Sequence, residues 1–495
     1  MSASRLFLTT TIPYVNARPH LGFALEIVQA DVLARHHRRR GTEVRFLTGT
    51  DDNSLKNVLA ARAEDVPTQE LVDRNAAAFA ALRDPLALSF DDFIRTSRDP
   101  RHRAGVHRLW RACADAGDIY RGRYAGLYCV GCEQFYGPAE LPGGRCPEHG
   151  THPRPVAEEN WFFRLSRYQD RLYDLIASGR LRVEPAVRRN EVLAFVAAGL
   201  ADYSISRSQS RARGWGIPVP GDPDQVIYVW WDALGNYVSS LGYGHGAGDY
   251  QRWWAGGDRR VHLVGKGVLR FHAVYWPAIL LSAGEPLPTC VVAHDYLTVD
   301  GCKIGKSAGN AVDPVALVQQ YGADAVRWWL LRDVPRVGDT DFTVERLVAR
   351  YHEDLANGAG NLVNRVVGLV HRYRNGRPPG GTVPPVGAGP LVEACRLAPQ
   401  LVDEALGRFD FRRAAAAVWT IVEQANRYVE RAAPWRLARA GDPALEAVLG
   451  VLLGACLELA AQLAPFLPGA AAAITRRCTP TGGVLPAPRP LFPRI

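Results

Sequence analysis

Two short segments of this 495-residue chain carry residue types that handle phosphate. His20-Leu21-Gly22-Phe23 sets an imidazole at a glycine-opened helix start, where backbone N–H groups and the helix dipole already favour anions. Far downstream, Lys303-Ile304-Gly305-Lys306-Ser307 sets two ammonium groups on a glycine-containing loop, able to close over a triphosphate as point charges. Donors of this kind matter where negative charge accumulates on phosphoryl oxygens in a transition state. A lone KxGKS segment reads as readily as a solvated turn, so the pair of segments carries the argument. A third group is Cys129-x2-Cys132 and Cys146-x2-His149, two ligand pairs in a glycine-rich stretch that can converge on one tetrahedral zinc. With all four positions supplied by protein the metal is structural; a disulfide or a chance cluster is the bland alternative. Cys113, Cys290, Cys302, Cys395, Cys456 and Cys478 are scattered without an adjacent base, and Cys478 falls in a terminal stretch expected to be disordered.

These residues need elements to hold them. RLFLTTTIPYVN reads as a buried strand, and after it Leu21, Leu25, Val28 and Val32 fall on one helical face. Gly41 ends that helix, and EVRFLTGTDD is the next strand, so a glycine turn links strand, helix and strand as in a doubly wound nucleotide-binding sheet. Residues 116–220, with the cysteine pairs, read as an insertion. QVIYVWWDAL, VHLVGKGV and TCVVAHDYLTV then read as resumed sheet, and from about Asp313 the spacing turns helical. GRPPGGTVPPVGAGP is a connector, a helical bundle runs from Leu391 to about Arg477, and the proline-rich end reads as an extended tail.

Composition adds bounds. The chain is 47% hydrophobic and 22% charged, the balance of a globular protein with a sizeable core and about three or four domains. No run is expected to reach the ~18 apolar residues of a membrane helix. The first residues show no basic-then-apolar signal, so a cytoplasmic, non-membrane protein is expected. The net charge of +9 comes from arginine, with only a handful of lysines. It suits nucleic acid, but a GC-rich coding bias produces the same excess.

The two phosphate-handling segments resemble the HIGH and KMSKS boxes of class I aminoacyl-tRNA synthetases. Nearly the whole chain is similar to methionyl-tRNA synthetases, in the form with one zinc knuckle and no C-terminal dimerisation domain. IPYVNARPHLGF, VRFLTGTD, GDIYRGRYAGLYCVGCEQFY, RCPEHG, ENWFFRLSRY, YVWWDALGNYVSSL, HLVGKG, FHAVYWPAIL, DGCKIGKSAGN and NRYVERAAPW carry the likeness in order. The resemblance implies an α/β fold: a Rossmann-type parallel sheet, a zinc-knuckle connective insertion and a C-terminal α-helical bundle. It implies a first half of the core over 1–115, the insertion over 116–220 and the second half over 221–312. A stem-contact region over 313–350, with the lysine loop just before it, and an anticodon-binding-like bundle and tail over 351–495 complete it. It also implies monomeric action, structural zinc, and ATP with magnesium as substrate. By the same likeness, His20, Lys303 and Lys306 are catalytic, and His20, Gly22, Lys303, Lys306 and Ser307 hold ATP. Asp51 holds the substrate ammonium, and Ile12, Tyr14, Trp230, Ala233, Tyr237, Phe271, His272 and Trp276 wrap a thioether, which gains from aromatic walls. Core filling is the alternative for Trp230 and Trp276. Arg372 and Trp435 match positions that contact and stack on anticodon bases.

The chain departs from the family pattern at five places. The second histidine of the first box is Phe23, and the GTDEHG loop is Gly49-Thr50-Asp51-Asp52-Asn53-Ser54. GKD has become Gly265-Lys266-Gly267, HG has become His294-Asp295, and the serine inside KMSKS is Gly305. Each lost donor costs on the order of 10²–10³ in rate. Phe23→His is therefore expected to raise adenylate formation. These losses favour a paralogue that activates methionine or a similar amino acid and passes the acyl group to a small-molecule amine or hydroxylamine. A ligase charging tRNA with methionine, and a non-catalytic methionine- or tRNA-binding protein, are the alternatives.

Overall fold

The computed structural model describes residues 4–130, 134–137, 140–147, 150–246, 248–305, 309–380, 385, 387–493 and 495. Its contacts divide it into two compact units, one of residues 1–30, 37–83 and 89–295, the other of 31–36, 84–88 and 296–495.

The first unit is built on a six-stranded sheet. Its strands are β1 (Arg5–Thr10), β2 (Glu43–Thr50), β3 (Asp92–Arg95), β4 (Arg182–Glu184), β5 (Arg259–Gly265) and β6 (Cys290–His294), in spatial order β3-β2-β1-β5-β6-β4. Every neighbouring pair is parallel. Strands of such a sheet are covered on both faces, which is why β1 reads LFLTT with five consecutive buried positions. The order reverses beside β1, and in open α/β sheets ligands bind outside the strand C-termini at that point. The turn after β1 leads into helix α1 (Leu21–Arg39). Leu21, Leu25, Val28 and Val32 are buried as their spacing predicts, but so are Ala24, Ile27, Ala30 and Leu33, so the helix is covered nearly all round. At Gly49 β2 lies so close to β3 that a Cβ there would be 2.1 Å from the Ile94 carbonyl oxygen.

Two expectations about this unit need correcting. QVIYVWWDAL is not a strand of the parallel sheet. Asp222–Ile227 pairs antiparallel with Ser206–Ser208 and Pro218–Val219, and Val229–Leu234 is helical. A short apolar run has no periodicity to distinguish buried strand from buried helix. Residues 116–220 are also not wholly outside the sheet, since β4 forms its edge. The rest of that stretch includes an antiparallel sheet of Gln134–Tyr136, Ile119–Cys129, Arg154–Phe163 and Tyr203–Ser204.

The second unit opens with a hairpin, Leu297–Val299 and Cys302–Lys303, turned by Asp300 and Gly301. Both turn residues have positive φ (54° and 72°), the Asp-Gly signature of a tight hairpin. Helices follow, among them Ala323–Arg332, Asn361–Arg374, Gly389–Gly407, Phe411–Ala432, Ala444–Leu463 and Pro468–Cys478. Ala444–Leu463 is long and apolar enough to cross a membrane by length and composition, contrary to expectation, yet Val448, Leu449, Leu452, Leu459 and Leu463 are buried. It is a core helix of this unit. The C-terminal stretch is packed rather than free. Leu485 N–H donates to the Gly376 carbonyl (2.8 Å), Tyr351 Oη donates to the Pro493 carbonyl (2.6 Å), and Cys478 is buried at a helix end. Prolines forbid regular structure there but leave carbonyls free to accept.

Candidate functional site

The C-terminal edge of the parallel sheet gathers most of the residues singled out above. The chain leaves β1 through Ile12 and Tyr14, and Asp51 leaves β2 beside them: Tyr14 and Asp51 form a parallel bridge, with Asp51 N–H donating to the Pro13 carbonyl (2.9 Å). Tyr14 meets Trp230 edge-on at 6.3 Å, and Trp230 stacks flat on Phe271 with centroids 3.8 Å apart. Ile12, Ala233, Tyr237, Phe271 and Trp276 are buried in one apolar cluster against which Trp230 packs. Asp51 itself is 1% exposed.

Burial keeps the two histidines in this cluster neutral, and their hydrogen bonds then fix the tautomers. His272 Nδ1 faces the Val268 carbonyl at 2.9 Å and must donate, so its Nε2 accepts from Tyr237 Oη at 2.7 Å. An indole can only donate, so Trp276 Nε1 gives its proton to His262 Nε2 (3.2 Å), leaving the His262 proton on Nδ1 against Thr9 Oγ1 (2.7 Å). Burial pushes His262 well below the usual imidazole range and His272 down to about 4. Both rings are neutral, so the cluster is lined by aromatic and uncharged polar groups. His262 was not singled out in the sequence; its signal was a histidine inside an otherwise apolar strand.

Both histidines make folding sensitive to acid. Above the usual imidazole value they are neutral folded and unfolded, but below it the unfolded chain takes up protons that the folded chain refuses. The contribution of these two rings to stability is therefore fully present above about pH 6.5 and is lost as pH drops towards 4, by up to about 3 kcal/mol for His272. Denaturant titrations at pH 7 and pH 4.5 are expected to show this loss, with a smaller loss in His272→Gln.

His20 stands at the start of α1. Gly22 N–H donates to His20 Nδ1 (3.1 Å), which leaves the His20 proton on Nε2 as a donor. A Cβ at position 22 would sit 2.9 Å from the His20 ring, so any larger residue there would push the ring from this position. One turn further on, Glu26 accepts from Thr11 N–H (2.7 Å) and Oγ1, and faces His294 Nε2 at 2.9 Å. Burial pulls His294 down, but the Glu26 hydrogen bond and charge outweigh it and hold the imidazole above its ordinary value.

The departures from the family pattern have structural uses. Phe23 is buried and packs edge-on against Phe79 at 5.1 Å. Its ring lies in the core, so a histidine there would be buried rather than aimed at a ligand. Asn53 Nδ2 donates to Asp232 (2.7 Å), whose other oxygen holds His102 Nε2 at 2.5 Å. Ser54 caps helix Leu55–Ala63 through Lys56 N–H (3.0 Å). Asp52 is fully buried and is held by Arg95 (2.8 Å), Ser97 (2.7 Å) and Thr50 (2.8 Å).

In the second unit, Lys303 is exposed with its Nζ 3.7 Å above the Tyr296 ring. Asn310 ties the following loop, donating to the Cys302 and Lys303 carbonyls (3.2 Å each) and accepting from Gly305 N–H (3.0 Å). Lys306 and Ser307 lie outside the described residues. Arg372 is exposed on helix Asn361–Arg374, two turns beyond Arg365, whose guanidinium covers the half-buried Trp435 ring at 5.3 Å. A spacing of seven puts the two arginines on one helix face.

Of the cysteine pairs, Cys129 and Cys146 are buried, unlinked thiols in one small cluster with Tyr136 and Leu141. The Cys146 turn is closed by Gly150 N–H to the Cys146 carbonyl and Cys146 N–H to the Thr151 carbonyl, both 2.8 Å. A thiol at the end of strand Ile119–Cys129 and one on the Cys146 turn, in the same cluster, fit half of a zinc donor set. Cys132 and His149 lie outside the described residues, and among the described residues no group of three or more ligand side chains is assembled.

Comparison with known proteins places this arrangement in a class. The model for "tRNA synthetases class I (M)" matches residues 6–155 and 136–367, and that for "Anticodon binding domain of methionyl tRNA ligase" matches 383–485. The methionine–tRNA ligase of Brucella suis is 38% identical, the match covering 100% of this chain and 98% of that protein. The ligase of Thermosynechococcus vestitus is 41% identical over 94% of this chain and 88% of its own length. Mycobacterium tuberculosis methionyl-tRNA synthetase in complex with methionyl-adenylate superposes with a TM-score of 0.94 at 38% identity, covering 99% of this chain and 100% of that one. The chain belongs to the methionine–tRNA ligase family of class I, whose members form aminoacyl adenylates. This likeness, which includes the anticodon-binding model, does not support the small-molecule acceptor expected from the altered boxes; it favours tRNA. Counting lost motif residues took each for a lost donor, whereas Phe23, Asn53 and Ser54 have packing and hydrogen-bonding uses.

Proposed function

We propose that this protein activates methionine with ATP, as the magnesium complex, and transfers the methionyl group to tRNA. The observation that carries the reading is the aromatic cluster with its two neutral imidazoles and the buried Asp51, whose backbone is bridged to that of Tyr14. An unbranched thioether gains from such walls without meeting a charge. The α-ammonium pairs with Asp51 through a charge-assisted bond. The His20 Nε2 proton and the α1 N-terminus supply donors to the phosphate under attack, and Lys303 and Lys306 supply positive charge to the triphosphate. Residues 1–115 and 221–312 form the two halves of the catalytic core, with a connective insertion over 116–220 from which β4 returns to the sheet. Residues 313–350 contact the acceptor stem, and 351–495 bind the anticodon, with Trp435 stacking and Arg372 contacting bases. Methionine-dependent pyrophosphate exchange followed by charging of purified tRNA tests this. Exchange without charging would restore a small-molecule acceptor, and no exchange with any amino acid would leave a binding protein.

One structural zinc per chain goes with this reading, held by Cys129, Cys132, Cys146 and His149. Metal analysis of the purified protein is expected to find one equivalent, and Cys146→Ser to lose it together with protection of residues 119–163 from proteolysis. A zinc-free parent with the same protection would rule the site out.

A further inference from the structure

The sheet edge lacks a carboxylate where the family pattern has one and carries one where the pattern has glycine. β5 runs into Gly265-Lys266-Gly267 in place of GKD, and β6 into His294-Asp295 in place of HG. Gly265 and His294 are register partners on neighbouring parallel strands. The residues after them therefore leave the sheet side by side, about 5 Å apart, so a carboxylate on either strand end can serve the same volume. Asp295 does reach across: it is 5% exposed, and its Oδ1 lies 3.8 Å from Lys266 Nζ. The same oxygen holds the guanidinium of Arg188, from helix Ala186–Ala197. Two partly buried cations thus share one buried carboxylate, Arg188 pairing with Glu191 as well, and removing it would take its compensation from both.

We propose that Asp295 supplies from β6 the carboxylate that the family pattern places after β5, acting as a positioning residue that fixes Lys266 at the ligand-binding edge of the sheet. The exchange keeps one carboxylate beside Lys266 while moving its point of attachment by one strand. Its role in catalysis rests on the function proposed above, with the nucleotide at the strand C-termini.

The test is pyrophosphate exchange in the full-length parent, Asp295→Asn, Asp295→Gly and the double variant Gly267→Asp/Asp295→Gly, which restores the family arrangement. Melting temperatures are measured alongside. Both single variants are expected to raise KM for ATP by about tenfold or more while KM for methionine stays within about twofold, as loss of a partly buried charge partner predicts. The double variant is expected to recover most of that loss. Equal rises in both KM values with a lowered melting temperature would make Asp295 merely structural. An unchanged KM for ATP, or a double variant no better than Asp295→Gly, would also overturn the proposal. Those outcomes need an active parent; a parent without methionine-dependent exchange would instead refute the functional reading, and this one with it.

Discussion

Replacing Asp51 by alanine is expected to lower kcat/KM for methionine in pyrophosphate exchange by roughly 30- to 5,000-fold, the equivalent of about 2–5 kcal/mol. The size follows from burial. Asp51 is almost wholly enclosed, at a bridge that fixes its backbone beside Tyr14. A substrate ammonium placed there without its partner stays desolvated and uncompensated, which costs far more than an exposed ion pair gives. The loss belongs chiefly in methionine binding, so calorimetry should show it in the absence of ATP. Asp51→Asn, which keeps the side-chain volume, is expected to lose nearly as much because charge rather than shape holds the ammonium. A variant binding methionine as tightly as the parent would remove Asp51 from the site.

His20→Ala is expected to reduce the exchange rate by about 10²–10³, the usual cost of one preorganised donor to a developing oxyanion. Methionine affinity should stay near that of the parent, since His20 belongs to the start of α1 rather than to the aromatic cluster. Gly22 N–H fixes the His20 tautomer, so Gly22→Ala should mimic part of the loss by driving a methyl group into the ring. Phe23→His is expected not to raise exchange, against the expectation from the motif alone. It would bury an imidazole against Phe79 and lower stability by about 1–3 kcal/mol. Single-turnover measurements separate these effects, because adenylate formation is then read apart from product release.

The amino-acid sequence by itself determined the α/β class, the α1 face of Leu21, Leu25, Val28 and Val32, and the family, because periodic apolar spacing and ordered motifs are local properties. It also named Asp51, Tyr14, Trp230, Tyr237, Phe271, His272 and Trp276 through motif order. Only the tertiary structure decided that QVIYVWWDAL splits between an antiparallel strand and a helix, and that β4 returns to the sheet edge. Both depend on which strand lies next to which, and pairing partners far apart in sequence leave no local trace. The same holds for the side chains that read as defects. Phe23 became core, Asn53 a partner of Asp232, and Asp295 a neighbour of Lys266 through contacts spanning 56, 179 and 29 positions. His262 joined Trp276 and Thr9 in the same way. A motif records which residue type stands at a position; the packed sheet sets what that side chain faces, and so whether a missing donor leaves a gap or is replaced from a neighbouring strand.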